Sequence, residues 1–260
     1  MKARIRDAEI NYEIEGPQKA PVVTFSHSLA AALDVWESQV AVLSGSYRVL
    51  RYDTRGHGNS SATLGAYTME MLSEDLIGLL DYLNIHRTHF VGISMGGMIG
   101  QVFALNHPDR IAKLVLCDTT CSVPAEMGPV WEERIRIAET KGMEAIADEA
   151  LERWLSEEFR RKRPELAGRI REMIIRTPVP GYVGCSRAIS VFDVASGLSK
   201  ISAPTLIMVG EKDLSTPVTA AKTMNQQIHS SELFVIPSAL HLSNVEGATL
   251  FNERLLRFLA

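Results

Sequence analysis

The stretch "HFVGISMGGMIGQ", His89–Gln101, sets four glycines around one serine directly after an apolar run. Glycine weakens strands and helices alike. Placing Gly92, Gly96, Gly97 and Gly100 at a strand-to-helix handover therefore needs a reason. Gly92, Ser94 and Gly96 fit G-x-S-x-G, in which the serine sits on a sharp, strained turn and side chains two positions away would collide. The strand-like "THFV" before it and the helical "GGMIGQVFALNH" after it supply the context this turn needs. A phosphate-binding loop fits less well. There is no GxxxxGK[ST], and the glycine spacing is not GxGxxG. The bland alternative is a tight strand–helix crossing with an idle serine.

Working outward, short runs rich in Val, Ile and Leu alternate with helical patterns. "PVVTFSHS", "YRVLRYD", "THFVGIS", "IAKLVLCD", "PTLIMVG" and "ELFVIPS" have the near-continuous apolar character of strands covered on both faces. "KARIRDAEINYEIEG" alternates with period two and is expected to form an antiparallel pair. Leu72, Leu76, Leu79 and Leu83 lie on one stripe of an intervening helix. This rhythm predicts an α/β fold with a mostly parallel sheet and helices on both sides. It breaks between about Ser122 and Leu198, where helical patterns follow one another without strands. One runs from Met143 to Leu155, and another, "ELAGRIREMIIR", is expected to stop at Pro178 and Pro180. The expected division is a core of residues 1–121 and 199–260 with a helical cap of residues 122–198. Such an insertion would roof the carboxyl ends of the strands, where open α/β sheets bind ligands.

Composition excludes several classes. A net charge of −4 argues against a nucleic-acid partner, which would call for a strongly basic face. No run approaches the ~18 apolar residues of a membrane span, and the N-terminus lacks a signal-peptide core. Three cysteines, Cys117, Cys121 and Cys185, show no metal-binding or disulfide spacing, so a cytoplasmic protein without metal is expected.

A serine hydroxyl needs a base, and the base needs an orienting acid. For this turn the chain order is Ser, then acid, then His. Of seven histidines only His229 and His241 follow a suitable acid. His229 is expected at the far end of a helix, and His241 in a loop on the carboxyl side of the sheet, so His241 is the candidate base. Asp213 in "GEKDLSTP" is the candidate acid. Asp118, closing "KLVLCD", is the alternative, with capping of the following turn as its structural role. The candidate oxyanion donors are the backbone N–H groups of Met95 and Leu29, with Ser28 next to the latter.

Several motifs together now point to a family. "RYDTRGHGNS" (Arg51–Ser60), "VGISMGGMIGQ" (Val91–Gln101), "HPDRIAKLVLCDT" (His107–Thr119), "GEKDLSTP" (Gly210–Pro217) and "HLSNVE" (His241–Glu246) resemble the α/β-hydrolases, in particular the 3-oxoadipate enol-lactonases. The resemblance implies an eight-stranded α/β-hydrolase sheet with a helical cap. It also implies a Ser94–His241–Asp213 triad, no cofactor, and a small ester or lactone as partner. His27-Ser28-Leu29-Ala30 departs from the family's usual Asn-Ser-Leu-Gly at the oxyanion loop. An enol-lactone bearing a free carboxylate would call for a cation in the pocket, with Arg134, Arg136, Arg153 and Arg187 as candidates. Trp131 and Trp154 are the candidate apolar walls. General esterases, acyl-homoserine lactonases, carbon–carbon bond hydrolases, cofactor-free perhydrolases and a non-catalytic ligand receptor share the scaffold.

Overall fold

The structure is a computed structural model covering all 260 residues. Eight strands form one sheet: β1 (Lys2–Ile5), β2 (Ala8–Glu15), β3 (Val22–Ser26), β4 (Arg48–Tyr52), β5 (Thr88–Ile93), β6 (Ile111–Cys117), β7 (Thr205–Gly210) and β8 (Ser231–Ile236). Their spatial order is β1-β2-β4-β3-β5-β6-β7-β8. β1 and β2 pair antiparallel, β2 meets β4 antiparallel, and β3 to β8 are parallel. The direction of winding reverses between β3 and β5. At such a switch point the loops leaving two neighbouring strands diverge and open a crevice. Here those loops begin at His27 and at Ser94.

Alternate residues of the central strands feed opposite faces, as strand geometry requires. Phe90, Leu114, Leu116 and Ile207 pack with α2 (Met69–Tyr82), α3 (Met95–Asn106) and α9 (Val218–Gln227). Val91, Ile93, Val115 and Met208 face α1 (Glu37–Leu43) and α11 (Ala248–Leu259). Helix α3 crosses close to the sheet because two glycines clear its path. A Cβ on Gly100 would lie 2.5 Å from the Phe90 ring, and one on Gly97 would lie 2.6 Å from the Thr119 side chain.

Five helices stand between β6 and β7: α4 (Gly128–Lys141), α5 (Glu144–Trp154), α6 (Glu157–Lys162), α7 (Pro164–Arg176) and α8 (Val179–Ser190). The chain leaves and returns through a two-stranded neck. Val123 N–H donates to Phe192 O at 2.8 Å, and Val194 N–H donates to Cys121 O at 2.9 Å. The helix ahead of Pro178 and Pro180 ends as expected from sequence, and a further helix begins directly after it. α7 stops at Arg176, and Pro180 then sits in the first turn of α8, where a missing N–H carries no penalty. α8 rests backbone-to-backbone on the loop after β4, since a Cβ on Gly181 would lie 2.0 Å from Gly56 O.

That loop is pinned by a buried charge cluster that sequence periodicity did not reveal. The Arg55 guanidinium, 1% exposed, spans both oxygens of Asp75 on α2 at 2.7 and 2.8 Å. It also reaches Asp7 at 2.8 Å. Breaking such a pair leaves a buried charge without its partner. Asp75→Ala should therefore destabilise the fold by about 3 kcal/mol or more in urea unfolding. A change below about 1 kcal/mol would mean that Asp7 alone satisfies Arg55.

Candidate active site

Ser94 follows the last residue of β5 and precedes α3. Its backbone lies at φ 54° and ψ −116°, a region side chains rarely occupy. Neighbouring backbone holds it there. Ser94 N–H donates to Cys117 O at 2.9 Å, and the Thr119 hydroxyl donates to Ser94 O at 2.7 Å. The turn closes only because its flanks are glycines. A Cβ on Gly92 would meet Gly96 O at 2.2 Å, and one on Gly96 would meet Ser26 O at 2.2 Å.

The Ser94 hydroxyl lies 2.9 Å from His241 Nε2, and His241 Nδ1 lies 2.8 Å from Asp213 Oδ2. The structure thus brings together the three side chains selected from sequence. Asp213 carries more donors than the motif indicated. Its Oδ1 accepts the N–H groups of Ser215 and Thr216 at 2.7 and 3.0 Å, and its Oδ2 accepts the Thr216 hydroxyl at 2.6 Å. Burial alone would push the Asp213 carboxyl up. The facing His241 and these donors outweigh it and hold the group below the usual carboxylate range. For His241, burial disfavours the charged ring, but the Asp213 carboxylate prevails and raises it above an ordinary imidazole. His229 lies beyond the end of α9 and is exposed, away from this cluster.

Asp118 does something other than cap its following turn. It is fully buried, and its Oδ1 accepts Gly210 N–H at 2.8 Å while its Oδ2 accepts the Ser243 hydroxyl. It ties the end of β6 to the end of β7 and to the segment just past His241. Burial, reinforced by the nearby Asp213 charge, pushes its carboxyl well above the usual range. The Ser243 contact leaves no mark in the sequence, because its partner lies 125 residues away, whereas the Thr216 contact is made within the turn that holds Asp213.

The loop after β3 supplies a backbone donor. Leu29 N–H makes no hydrogen bond within the protein. As the first residue of α3, Met95 has no partner for its N–H four residues back in the helix. Two buried imidazoles shape the loop. His27 Nε2 accepts Thr54 N–H and its Nδ1 donates to Ser28 O. His57 Nε2 accepts Ala30 N–H at 2.9 Å and its Nδ1 faces Arg55 O at 3.3 Å. Each ring therefore needs a bare Nε2, and burial keeps both neutral, with His57 driven down to about 3. Ala30 itself sits at φ 59°, which accounts for glycine being the easier residue there.

A cavity of ≈ 690 Å³ opens over Ser94 and His241. Trp131 and Trp154 line it, as do Arg134 and Arg153. Arg134 lies over the Trp131 ring, 5.0 Å from its centre, and forms no ion pair. Arg153 pairs with Glu149, and burial followed by the like charge of Arg134 lowers its pKa. Two guanidinium groups thus share one cavity wall. Arg136 and Arg187 lie outside it, facing Glu133 and Glu139 on the surface. No group of three or more His, Cys, Asp or Glu side chains is arranged to hold a metal. No helix is long and apolar enough to cross a membrane.

Comparison with known proteins identifies the fold family. The family model described as the alpha/beta hydrolase fold matches residues 21–248. The chain is 34% identical to 3-oxoadipate enol-lactonase 2 of Acinetobacter baylyi over 248 residues, covering 95% of this chain and 92% of that protein. It is 36% identical to 3-oxoadipate enol-lactonase 1 of the same organism over 237 residues, covering 91% and 88%. The crystal structure of the enol-lactonase from Burkholderia xenovorans superposes with a TM-score of 0.97 at 37% identity, covering 100% and 99% of the two chains.

An imidazole accepts a proton only when neutral, and Asp213 raises that of His241, so with His241 as the candidate base the sign of the pH response is fixed. Ester hydrolysis should fall as pH drops through a midpoint above 6.5, the ordinary imidazole value. Asp213→Asn should move that midpoint down and lower kcat by roughly 10⁴. A pH–rate profile of the two proteins checks this, and an unmoved midpoint would detach Asp213 from the base.

Proposed function

The chain belongs to the α/β-hydrolase family, and we propose that it is a serine hydrolase of carboxylic esters and lactones, of the 3-oxoadipate enol-lactonase kind. The observation that carries this reading is the continuous Ser94–His241–Asp213 hydrogen-bond relay at the floor of a cavity holding two arginines. In this reading residues 1–121 and 199–260 form the catalytic core and residues 122–198 the cap.

His241 Nε2 takes the proton of the Ser94 hydroxyl as Ser94 Oγ bonds to the substrate carbonyl carbon. The carbonyl oxygen becomes an oxyanion against the N–H groups of Met95 and Leu29. Each such donor is worth roughly 3 kcal/mol in the transition state. Collapse breaks the carbonyl carbon–oxygen bond of the ester or lactone. The departing enolate or alkoxide takes the proton from His241, leaving an acyl group on Ser94. Water then gives a proton to His241 and its oxygen to the acyl carbon. The second collapse releases the acid, and the proton returns to Ser94. Asp213 holds the imidazole tautomer that leaves Nε2 free to accept. The relay needs no metal or organic cofactor for these steps.

Arg134 and Arg153 supply the charge that a lactone with a free carboxylate calls for. Arg134 is the better placed of the two, because no carboxylate of the protein competes for it. Trp131 stacks beneath it and stiffens its approach. The cavity volume also favours a second reading, a broader carboxylesterase, because ≈ 690 Å³ exceeds what a single small lactone ring fills.

Ser94→Ala should lower kcat by about 10⁶ on any ester the protein cleaves. Undiminished turnover by purified Ser94→Ala protein would overturn the acyl-enzyme reading. Arg134→Ala should raise KM roughly 10- to 100-fold for lactones bearing a carboxylate and leave KM for p-nitrophenyl acetate unchanged. Equal effects on charged and neutral substrates would remove Arg134 from carboxylate recognition and favour the broader esterase.

A further inference from the structure

The loop that carries His241 is held from two sides. On the sheet side, Lys212 N–H donates to Ala239 O at 2.9 Å, and Ser238 N–H donates to the Glu211 carboxylate at 2.8 Å. On the other side, the residues flanking His241 are tied to the cap, Leu242 directly and Leu240 through Glu246. Leu242 N–H donates to Trp154 O at 3.1 Å. Leu240 N–H donates to Glu246 Oε2 at 2.8 Å. The second oxygen of Glu246 accepts Ser156 N–H at 3.2 Å and the Ser156 hydroxyl as well. Ser156 is also the N-cap of α6, accepting Phe159 N–H at 3.1 Å.

One short cap segment therefore carries a cavity cation, Arg153, a cavity wall, Trp154, and the anchor of the histidine loop, Ser156. Glu246, at the end of the short helix α10 (Ser243–Glu246), is the only side chain bonded to both the loop and that anchor. The loop between β8 and α10 has no regular structure of its own, and Ser238 within it sits at φ 61°. These bonds, together with the burial of Ala239 and Leu242, set its placement. Displacing a reacting group by about 1 Å can cost 10²-fold in rate.

We infer that Glu246 is a positioning residue that couples the cap to the general base: it transmits the seating of the 153–156 segment to the orientation of His241 toward Ser94. This rests on the reading of His241 as the base. The role is distinct from simple stability, because one oxygen of Glu246 serves the loop and the other serves the cap. Loosening the cap end should weaken the chemical step even for a substrate too small to use the cap.

The test uses p-nitrophenyl acetate, with active sites counted by covalent titration with a phosphonate ester so that unfolded protein does not enter kcat. Glu246→Ala should lower kcat per site roughly 10- to 100-fold with KM unchanged. Two variants at Ser156 separate coupling from capping. Ser156→Asp keeps an N-cap acceptor for Phe159 N–H but sets a carboxylate against Glu246. It should lose kcat to the same extent as Glu246→Ala. Ser156→Asn keeps the cap and offers an amide N–H to Glu246, and should hold kcat within about twofold of the unaltered protein. Equal kcat per site in the Asp and Asn variants would overturn the coupling, as would Glu246→Ala protein that loses only folded sites. An unaltered protein that neither turned over the ester nor was labelled at Ser94 would overturn the reading of the base, and the coupling with it.

Discussion

A serine at φ 54° between a strand and a helix is the constraint around which the molecule is arranged. A backbone in that region stores roughly 1–3 kcal/mol, and it persists only when its surroundings over-determine it. Here β6 supplies the carbonyl that takes Ser94 N–H, and Thr119 holds the Ser94 carbonyl. Gly92 and Gly96 remove the side chains that would block the turn. The parallel register of β3, β5 and β6 is thus a precondition for the serine conformation, because all three strand ends touch the turn. The strand order matters for the same reason. β5 sits beside β3 at the winding reversal, so the Ser94 hydroxyl and the free Leu29 N–H open onto one crevice.

Electrostatics in the crevice are divided by depth. At the bottom, Asp118 is pushed toward its neutral form, and the two imidazoles of His27 and His57 are kept uncharged. They act as hydrogen-bonding struts. One layer up, Asp213 is held ionised by four donors and faces His241. At the roof, Arg134 and Arg153 place positive charge across the cavity from that carboxylate. Of Asp118 and Asp213, only Asp213 has donors enough to stay charged under burial. That explains how two aspartates at neighbouring strand ends can have different roles, a distinction that sequence order alone left open.

Much of this was legible in the chain because local physics wrote it locally. Strands covered on both faces must be apolar throughout, and the turn at Ser94 must have glycines, so both leave short sequence marks. Chain order in a fold of this type left His229 and His241 as candidate bases and Asp118 and Asp213 as candidate acids, and expected loop position singled out His241 and Asp213. Contacts between distant loops left no such mark. Thr216 resembles any turn residue, Ser243 any helix start and Asp75 an oddity on an apolar stripe. Each acquires meaning only when a partner 20 to 125 residues away arrives: His241 at Thr216, Asp118 at Ser243 and Arg55 at Asp75. Among the cap arginines, sequence spacing offered no basis for choice. Which of them faces the cavity depends on how α4 and α5 roll against their neighbours, not on the one-dimensional pattern.

The two-stranded neck at Cys121–Val123 and Phe192–Val194 also bears on how such a protein changes over time. Because the chain departs and comes back at one point, the roof can grow, shrink or be exchanged without moving any strand out of register. Substrate preference can then drift while the chemistry beneath it is inherited intact. That freedom has one local exception. Trp154 and Ser156 belong to the roof by position, but their hydrogen bonds run to Leu242 and Glu246 on either side of the His241 segment. A transplanted roof would have to bring its own equivalent of that contact, or the inherited machinery would be present and badly aimed.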